Sequence, residues 1–553
     1  MTSSTRGVTI EGVRRWARAR RIARAAFTQA YDGAFLIAVS RLLEAVHREH
    51  YAPKSVLHRD AAGRWFLDLG RRPTLRSPLA DPLTFRHFEV TSVPWTTSGS
   101  TSRPVRTPQA FLRALRRCLR ASDMIRHFGR LVSDFQNSFA NLVLNHLLAQ
   151  QLDADAKAIE PTYQGHTHYP FPALRIGPSV TDVVKCSNLS QETIALPLVA
   201  VRLGHFTSIV FDDDRACFRA WAGFSGARDA DLVIPLHPWQ LKLSPIVHEL
   251  LRRRWIDVLD EHLEAIPLAS QRTCRVVETG FDLKLPIAAT LTSQERLLYP
   301  LNRGNAPIFS ALARILHEAS RERTLDFQYD VASIAHAEPN VGTHLSAIVR
   351  APVRPREKEV IVPALNLWAG PVRARALLGL SRSDEAYDFF RAYCRVLMRG
   401  PITFYARWGM AFEPHLQNVY VALRDGLPSR IVLRDLDSTI LDPDRLRSVL
   451  RAAHLRLAPG TWRRMPAFEI GGRRLAHAMV HGHLREVMAF LVREAEADRV
   501  RLSAVLDDTW SELVASDSSS HFRRLVRDLR SQADTVTAML RMRLARSRRL
   551  TFV

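Results

Sequence analysis

The segment Glu413-Pro414-His415-Leu416-Gln417-Asn418 carries the strongest signal for the fold of this chain. A second polar segment, Arg434-Asp435-Leu436-Asp437, follows shortly after it. Between the two, the apolar runs 419–423 and 430–433 are typical of short strands, and the turn residues of 425–428 join them. A hairpin of this kind would bring both polar segments to the same side of a sheet. The pattern therefore predicts a polar site at the base of a β-hairpin.

The residue types in these two segments suit the binding of a nucleotide and a divalent cation. Carboxylate oxygens hold Mg²⁺, and amide and imidazole groups orient phosphate or sugar oxygens. A guanidinium such as that of Arg434 binds phosphate through two parallel hydrogen bonds. Polar residues are also common at the ends of ordinary hairpins, so the spacing alone leaves a purely structural role open.

Length and composition indicate a soluble globular protein with more than one domain. The chain has 553 residues, which exceeds one hydrophobic core and predicts two or three domains. Hydrophobic residues make up 46% and charged residues 24%, as in ordinary globular proteins. No run of 18 apolar residues occurs, so no transmembrane helix and no membrane partner are expected. The basic segment 14–21 lacks the apolar continuation of a signal peptide.

The five cysteines are odd in number and widely separated along the chain. They predict neither a disulfide framework nor a C-x-x-C metal site. The expected compartment is therefore the reducing cytoplasm.

The net charge of +23 favours anionic partners. Nucleic acid is one such partner, but the arginines are spread along the chain rather than gathered in a recognition motif. A basic nucleic-acid-binding protein therefore stays open as an alternative that rests on charge alone. A positive field would equally attract ATP and polycarboxylates.

The pattern of apolar residues divides the chain into three parts and predicts an α+β protein. Residues 1–155 are predicted to be mostly helical, 156–365 to mix strands and helices, and 366–553 to be helical apart from the hairpin. The predicted helices cover 25–47, 133–152, 245–263, 308–320, 476–496 and 522–544, with another that starts at Pro108. The predicted strands outside the hairpin are 193–201, 232–236, 274–278 and 284–288.

Three further motifs lie in the first two parts of the chain. Ser270-Gln271-Arg272-Thr273 combines two hydroxyls with a guanidinium, which could clamp a triphosphate, although an ordinary turn before a strand would look the same. His237-Pro238-Trp239-Gln240 ends a predicted strand, and its proline and tryptophan indicate packing. The segment 165–177 reads GHTHYPFPALRIG. His166 and His168 within it could suggest a zinc site, but no cysteine or acidic partner is near in the sequence.

Taken together and in this order, these motifs resemble those of the ATP-dependent siderophore synthetases of the IucA/IucC (aerobactin synthetase) family. The resemblance covers the chain from about residue 133 to its end and includes H-P-W-Q, S-x-R-T and E-x-H-x-Q-N. The sequence departs from the family pattern at Ala173 and Thr537, where lysine is usual, and at Thr167 and Tyr169. The two missing cations put recognition of citrate in question.

The resemblance implies a cupped-hand architecture, with thumb, fingers and palm around a nucleotide cleft, in which ATP and Mg²⁺ activate a carboxylate as an acyl-adenylate. An amine or hydroxyl then receives the acyl group. Arg296, His415 and Lys284 are the implied catalytic residues, and Glu413, Asn418 and Asp435 the implied Mg²⁺ ligands. Nucleotide binding is implied for Ser270, Arg272, Thr273, Lys284, Glu413, Gln417, Asn418 and Asp435. Substrate binding is implied for His166, Arg175, Thr292, Arg296 and His415.

Two other interpretations of the same residues stay open. An ATP phosphotransferase would also use an asparagine before an R-D-x-D segment, although the sequence has no glycine-rich phosphate loop. A noncatalytic paralogue would account for the departures at Ala173 and Thr537. The partners expected for a synthetase are small-molecule carboxylates and amines or alcohols, and a homodimer is among the assemblies left open.

Overall fold

The structure, a computed structural model, mixes helices and strands throughout. It describes residues 7–52, 55–70, 74–80, 88–98, 100–119, 122–152, 160–167, 169–189, 192–201, 206–210, 232–292, 294–320, 322–368, 383–533 and 537–545. The predicted boundary at 155/156 falls in the segment 153–159, outside the described residues. Among the described residues, no helix combines the length and apolar character that a bilayer crossing requires.

The N-terminal region packs long helices beside a small antiparallel sheet. Its elements are α1 (Ile10–Ala19), α2 (Arg24–Arg48), β1 (Val56–Arg59), β2 (Trp65–Leu69), β3 (Thr74–Leu79), β4 (Trp95–Ser98), β5 (Thr101–Pro104), α3 (Pro108–Cys118), α4 (Ser122–Arg126) and α5 (Phe128–Ala149). Helix α3 begins where the sequence predicts, because the Thr107 side chain accepts a hydrogen bond from the Ala110 amide and Pro108 fits the first turn. Helices α2 and α5 pack through apolar faces, with Phe35 and Phe139 in edge contact.

The sheet of β1–β5 was not anticipated in a region predicted to be mostly helical. Its strands follow one another in sequence order, each antiparallel to the next. Each has four to six residues, and the buried side chains lie in β2 and β3. In β3 they occupy alternate positions, at Leu75, Ser77 and Leu79. Such short alternations carry a weak signal in a single sequence.

The middle region contains the largest sheet. Its elements are β6 (Arg175–Ile176), α6 (Val180–Lys185), β7 (Ile194–Val201), β8 (Phe206–Val210), β9 (Leu232–Pro235), α7 (Pro238–Leu243), α8 (Pro245–Arg252), β10 (Ile256–Pro267), β11 (Thr273–Val276), β12 (Asp282–Lys284), β13 (Ile287–Leu291), β14 (Gln294–Arg296), α9 (Pro300–Ser320), β15 (Leu325–Phe327), β16 (Asp330–His336), α10 (Pro339–His344), β17 (Ser346–Arg350) and β18 (Val360–Pro363). The large sheet has the order β8-β16-β17-β12-β11-β10-β7-β9, and β14-β13-β6 form a smaller one.

Two predictions for the middle region were wrong. The helix predicted over 245–263 ends at Arg252, and the chain continues as strand β10. The turn between them places Arg254 at a positive φ of 55°, which a helix does not allow. The strand predicted over 284–288 is two strands in different sheets, β12 and β13, with Pro286 between them. Proline has no amide hydrogen for a sheet ladder, which explains the break.

The C-terminal region surrounds the predicted hairpin with helices. Its elements are a 3₁₀ helix (Ala364–Trp368), α11 (Ser383–Trp408), β19 (Met410–Ala411), a 3₁₀ turn (Leu416–Asn418), β20 (Val419–Arg424), β21 (Leu427–Leu433), a 3₁₀ turn (Leu436–Ser438), β22 (Ile440–Leu441), α12 (Pro443–Ala452), α13 (Thr461–Arg464), α14 (Phe468–Ala476), a π-helix (His477–Leu484), α15 (Arg485–Glu494), α16 (Arg499–Ala515), α17 (Ser520–Gln532) and α18 (Met539–Leu544).

The hairpin of β20 and β21 confirms the prediction made from the polar segments on either side of it. The turn is tighter than predicted, because Leu427 and Pro428 already belong to β21. Asp425 and Gly426 both have positive φ, 52° and 78°, the combination of the two-residue turns that match the twist of paired strands. The hairpin joins β15 and β18 in the sheet order β15-β21-β20-β18.

The end of the described chain returns to its beginning. Leu540 and Leu544 of α18 pack in the same hydrophobic core as α2 and α5, whereas the hairpin and the other C-terminal helices share a second core. Glu49, just after α2, accepts hydrogen bonds from the amides of Leu540 and Arg541 at 2.8 and 2.7 Å. The last helix of the described chain therefore packs against the N-terminal region.

Candidate active site

A cavity of about 1900 Å³ is lined by residues from all three parts of the chain. It exceeds the roughly 300–1,000 Å³ that holds one small ligand, so it has room for two. Among the described residues, its lining includes nine basic and five acidic side chains. The basic ones are Arg130, Arg175, Arg272, Lys284, Arg296, Arg464, Arg473, Arg474 and Arg543; the acidic ones are Asp134, Glu295, Glu413, Asp435 and Asp437. The excess of positive charge favours an anionic ligand.

The base of the hairpin forms one wall of this cavity. The Asn418 side-chain amide donates to the Glu413 carbonyl oxygen at 3.2 Å, and the Arg434 backbone amide donates to the Asn418 carbonyl oxygen at 3.0 Å. These bonds join the two polar segments, as the sequence predicts. Glu413, His415, Gln417, Asn418 and Asp435 all line the cavity.

Lys284 lies between the two aspartates that follow the hairpin. Its Nζ donates to Asp435 Oδ1 at 2.8 Å and to Asp437 Oδ1 at 2.7 Å, although Lys284 ends strand β12 of the large sheet. Asp435 adopts a left-handed conformation with φ of 63°, which starts the 3₁₀ turn that brings Asp437 back toward the lysine. The structure thus joins the predicted cation of the middle region to the predicted carboxylate of the hairpin.

Arg350, which no sequence motif singled out, is a second cation that contacts Asp435. Its Nη2 contacts Asp435, and its Nε donates to Asp330 at 2.6 Å. Burial alone would raise the pKa of Asp435, but Arg350, followed by Lys284 and Arg272, holds that pKa well below its usual value. Asp435 is therefore an ionised carboxylate at neutral pH.

Arg434 does not contact the cavity, contrary to the prediction that it binds phosphate. Its Nη1 and Nη2 donate to the two oxygens of Glu160 at 2.5 and 2.9 Å, and its Nε donates to the Gln417 carbonyl oxygen. Tyr420 donates to the same carboxylate at 2.8 Å. All of these groups are buried, so Arg434 ties the hairpin to the segment before the large sheet.

The S-x-R-T segment forms a tight turn at the cavity. Ser270 Oγ accepts a hydrogen bond from the Thr273 amide at 3.1 Å, and Gln271 has a positive φ of 62°. Arg272 lines the cavity, where burial and then the nearby Arg296 lower its pKa to about 10. Thr273 differs from its neighbours, because it is buried away from the cavity lining and its Oγ1 has no hydrogen-bond partner within the described part of the chain.

Thr292 positions Arg296 on the adjacent part of the wall. Thr292 Oγ1 accepts a hydrogen bond from Arg296 Nη2 at 2.5 Å and donates to the Leu291 carbonyl oxygen at 2.6 Å. The Thr292 amide donates to the Leu174 carbonyl oxygen at 3.0 Å, which connects this turn to the segment that carries Arg175. Arg175 lines the cavity as well.

His166 and His415 meet on the cavity wall, with ring centroids 5.1 Å apart. Burial, His415 and Arg296 hold the pKa of His166 well below its usual value, and burial lowers the pKa of His415. Both rings are therefore neutral at pH 7 and suit hydrogen bonding rather than charge neutralisation. Gly165 has a φ of 71°, and a β-carbon there would come within 2.3 Å of the Pro172 carbonyl oxygen, so only glycine fits the turn.

The π-helix supplies a buried histidine that supports the polar segment from behind. His483 Nδ1 lies 2.9 Å from the Pro414 carbonyl oxygen, and its Nε2 lies 2.6 Å from the Tyr393 hydroxyl. Burial lowers the pKa of His483 to about 3, so the neutral ring donates to Pro414 and accepts from Tyr393. π-helical segments are frequent at functional sites, but no sequence pattern predicted this segment.

The carboxylates near the predicted magnesium site are paired with different cations. Glu413 forms an ion pair with Arg474 at 2.5 Å, an arginine that the sequence did not single out. Among the described residues, no group of three or more His, Cys, Asp or Glu side chains is arranged to hold a metal ion alone. Mg²⁺ that arrives with phosphates needs only one or two carboxylates. Asp435 and Asp437 offer that donor set and fit the ion.

The H-P-W-Q segment lies outside the cavity lining and holds the middle region together. His237 Nδ1 accepts a hydrogen bond from the Trp239 amide at the start of α7. Trp239 donates to the Asp182 carbonyl oxygen, and Gln240 bonds both the Ala288 amide and the His344 carbonyl oxygen. These bonds confirm its predicted packing role. His168, considered above for zinc, lies outside the described residues.

Two family models match parts of this chain. Residues 155–369 match the sequence model of the IucA / IucC family. Residues 388–552 match a model described as ferric iron reductase FhuF-like transporter.

Two curated relatives match about half of the chain. The uncharacterized protein y4xN of Sinorhizobium fredii is 25% identical over 335 residues, which are 52% of this chain and 51% of that protein. The staphyloferrin A synthase of Staphylococcus aureus is 19% identical over 315 residues, 51% of this chain and 52% of the synthase. The chain thus spans about half the length of the curated relatives that it matches.

Solved structures extend the likeness to nearly the whole chain. The petrobactin biosynthesis protein AsbB of Bacillus anthracis superposes with a TM-score of 0.75 at 16% identity, over 96% of each chain. The ATP-bound aerobactin synthetase IucA of Klebsiella pneumoniae gives 0.72 at 17% identity, over 88% of this chain and 93% of that one. At such low identity these matches show the fold, and the fold is that of the aerobactin synthetases.

Proposed function

Because residues 155–369 match the IucA / IucC family model, we propose that this chain is an ATP-dependent siderophore synthetase of that family. It activates a carboxylate as an acyl-adenylate and passes the acyl group to an amine or a hydroxyl. The observation that carries the proposal is the meeting of Lys284 with Asp435 and Asp437 in a basic cavity that the S-x-R-T turn also lines. Cations and carboxylates in one cavity suit a triphosphate and its metal ion.

In the first step, a carboxylate oxygen attacks the α-phosphorus of ATP and pyrophosphate leaves. Lys284 and Arg272 stabilise the negative charge that develops on the phosphates, and the Ser270 hydroxyl hydrogen-bonds them. Glu413, Gln417 and Asn418 hold the nucleotide from the hairpin side. Thr273 takes its part indirectly, because its amide keeps the Ser270 turn closed.

The reacting carboxylate lies on the wall of His166, Arg175, Thr292, Arg296 and His415. Arg296 and His415 orient it by charge and hydrogen bonding, since a neutral His415 is a poor general acid at pH 7. In the second step, a nitrogen or oxygen nucleophile attacks the acyl carbon, loses its proton, and AMP leaves.

Mg²⁺, when bound, neutralises charge on the phosphates. The predicted ligands are Glu413, Asn418 and Asp435. Asp437 joins them in the proposal, because Lys284 bonds to it as closely as to Asp435. Arg350, Lys284 and Arg272 lower the pKa of Asp435 and so keep it ionised, which is the form that binds a metal ion.

The proposal includes the arrangement and location of the enzyme. Residues 1–155, 156–365 and 366–553 correspond to thumb, fingers and palm, in keeping with a cavity lined by all three. The reaction takes place in the cytoplasm. In support, Cys118, Cys186, Cys274 and Cys394 are buried free thiols in the described part of the chain.

The acyl donor carries fewer negative charges than citrate. Ala173 and Thr537 line the cavity without charge, and nearby Arg543 does not replace the missing cations, because it forms two hydrogen bonds with Asp134 at 2.8 and 3.0 Å. Each lost charged hydrogen bond weakens citrate by roughly 1.5–3 kcal/mol. A citryl monoamide or another carboxylic acid is therefore the preferred donor. Steady-state kinetics with citrate, 2-oxoglutarate and citryl monoamides test this, and a wide preference for free citrate would refute it.

The reaction products test the proposal as a whole. A panel of carboxylates and polyamines is incubated with ATP and Mg²⁺, and AMP, ADP and pyrophosphate are measured. AMP and pyrophosphate in equal amounts, and only with a suitable carboxylate, are expected. Stoichiometric ADP would instead indicate a phosphotransferase, and no turnover across the panel would favour a noncatalytic paralogue.

A further inference from the structure

Arg175 is buried on the cavity wall, and its side-chain hydrogen bonds go to neutral amides. Its Nε donates to Gln271 Oε1 at 2.8 Å, and its Nη1 donates to Asn141 Oδ1 at 3.0 Å and to Asn145 Oδ1 at 2.9 Å. The side chain is 6% exposed. Burial lowers the pKa of Arg175 to about 10, and no carboxylate in the described part of the chain offsets that effect. The guanidinium nevertheless stays protonated at pH 7.

The orientation of the two asparagines is fixed by their other hydrogen bonds. Asn145 Nδ2 donates to the Tyr163 carbonyl oxygen at 3.1 Å, and Asn141 Nδ2 donates to the Asn137 carbonyl oxygen at 2.9 Å. Each amide must therefore turn its oxygen toward Arg175. The two asparagines lie one turn apart on α5, so they present these oxygens from the same helix face.

Several other buried arginines of this protein pair with carboxylates. Arg434 pairs with Glu160, Arg350 with Asp330, and Arg485 with Glu44. A buried cation without a counterion is costly, and aspartate has nearly the shape of asparagine. A carboxylate at position 141 or 145 would therefore relieve that cost without a change of shape, yet both positions hold amides. The protein keeps this guanidinium in place and leaves its charge uncompensated.

The open side of Arg175 faces the cavity. Its Nη2 makes no hydrogen bond within the described residues, while its backbone amide donates to Asn137 Oδ1 at 2.8 Å and strand β6 pairs with β13. Gln271 and Asn145 line the same cavity. The guanidinium is thus rigid on the protein side and available on the ligand side.

We propose that Asn141, Asn145 and Gln271 are positioning residues that hold Arg175 without a protein counterion, so that an oxyanion of the ligand provides it. The inference deepens the proposed function, on which it rests for the identity of the ligand. A carboxylate of the acyl donor and a phosphate of ATP share the required chemistry, because either can accept two hydrogen bonds from a guanidinium.

The substitution Asn145→Asp tests this inference. It keeps the side-chain shape but places a carboxylate beside Nη1, where it pairs with Arg175 in place of the ligand. Calorimetric titration measures the binding of a citryl monoamide alone and of ATP alone, without turnover. We expect an affinity loss of at least about tenfold for one or both ligands, the size of a lost charged hydrogen bond. The new ion pair and the lost Asn145 Nδ2 hydrogen bond to the Tyr163 carbonyl oxygen oppose each other, so the melting temperature of the unliganded variant should stay close to that of the wild type.

Two further variants make the result specific. Gln271→Glu places a carboxylate beside Nε from a different element and should lose the same ligand, which also covers the case in which Asn145→Asp does not fold. Asn340→Asp adds the same charge at an exposed position of α10 and should bind as the wild type does.

Each outcome bears on the inference directly. Loss of citryl monoamide binding alone identifies the carboxylate of the donor, loss of ATP binding alone identifies a phosphate, and loss of both supports a position where the two ligands meet. Unchanged binding of both ligands in Asn145→Asp and Gln271→Glu, or a wild-type protein that binds neither, would overturn the inference. Absence of pyrophosphate release would overturn the proposed function and leave these binding results standing.

Discussion

Two buried arginines of this protein, Arg434 and Arg175, have opposite surroundings. Arg434, at the base of the hairpin, bonds both oxygens of Glu160 and lies over the ring of Tyr420. Arg175, on the cavity wall, bonds only amide oxygens. Burial acts to lower the pKa of both, but Glu160 more than reverses this at Arg434. An arginine with a protein counterion holds the fold together, whereas one without a counterion keeps its attraction for a ligand.

The largest expected effect comes from breaking the pair that holds the hairpin. Glu160→Gln leaves Arg434 as a buried cation without compensation and weakens the bonds that Glu160 accepts from Tyr420 and the Ala269 amide. We expect the free energy of unfolding to fall by roughly 3–5 kcal/mol. Chemical denaturation followed by circular dichroism measures this change.

A surface pair supplies the control for that experiment. Glu249 bonds Arg252 and Arg253 on an exposed helix face, so Glu249→Gln should hardly change stability. If Glu160→Gln unfolds at the same denaturant concentration as this control, the Glu160–Arg434 pair does not hold the hairpin.

The next largest effect distinguishes Lys284 from Arg272, two cations for which the sequence predicts the same role. Lys284→Ala and Arg272→Ala should each cost about 3 kcal/mol of transition-state stabilisation, roughly a hundredfold in kcat/KM. Lys284→Ala should also destabilise the fold, because Asp435 and Asp437 lose their shared cation. Arg272→Ala should not, because its hydrogen bonds to backbone carbonyls are long, at 3.4 Å.

Kinetics and thermal melting of the two variants check this separation. Equal stability in both variants would show that the lysine contributes no structural pair. Wild-type turnover in either variant would remove that residue from the catalytic site.

A smaller effect concerns pH and the helix that carries the amides. Burial lowers the pKa of His146, beside Asn145 on α5, to about 4. The unfolded chain, in which the His146 pKa is near 6.5, binds the proton more readily than the folded one. The wild type therefore has its full stability above that pKa and loses stability as the pH falls toward 4. Between pH 8 and pH 5, the free energy of unfolding of the wild type should therefore fall by about 2 kcal/mol more than that of His146→Leu.

Unfolding free energies of both proteins across pH 4–8 test this linkage. Parallel pH profiles for the variant and the wild type would show that His146 titrates normally in the folded protein.

The smallest expected effect comes from placing a carboxylate beside Arg175. Asn145→Asp gives Arg175 the counterion that Arg434 already has. The cost of burying a second charge and the loss of the hydrogen bond to the Tyr163 carbonyl oxygen offset most of this gain. We expect stability to rise or to stay within about 1 kcal/mol of the wild type. Denaturation alongside Glu160→Gln measures both, and a loss as large as that of Glu160→Gln would contradict the contrast between the two arginines.

Local patterns allowed much of the fold to be predicted. The hairpin, α5, α9 and the start of α3 follow from apolar periodicity, turn residues and capping. The helix predicted over 245–263 was wrong from residue 253 onward, because the exposed face of β10 carries many charged residues and resembles a polar helix face. The sheet of β1–β5 was missed because its strands have only four to six residues and most of them lack a clear alternation of buried and exposed positions.

The amino-acid sequence was enough to identify the chemical groups of the site, namely the two polar segments of the hairpin and the S-x-R-T turn, and the family that they resemble. Tertiary structure alone decided which charges are paired. Arg434 belongs beside Asp435 in the sequence but bonds Glu160, and Lys284 meets Asp435 across 151 positions. Arg175 meets amides from α5 and the S-x-R-T turn. Residue type fixes what a side chain can do, but the free energy of a buried charge depends on neighbours that only folding brings together.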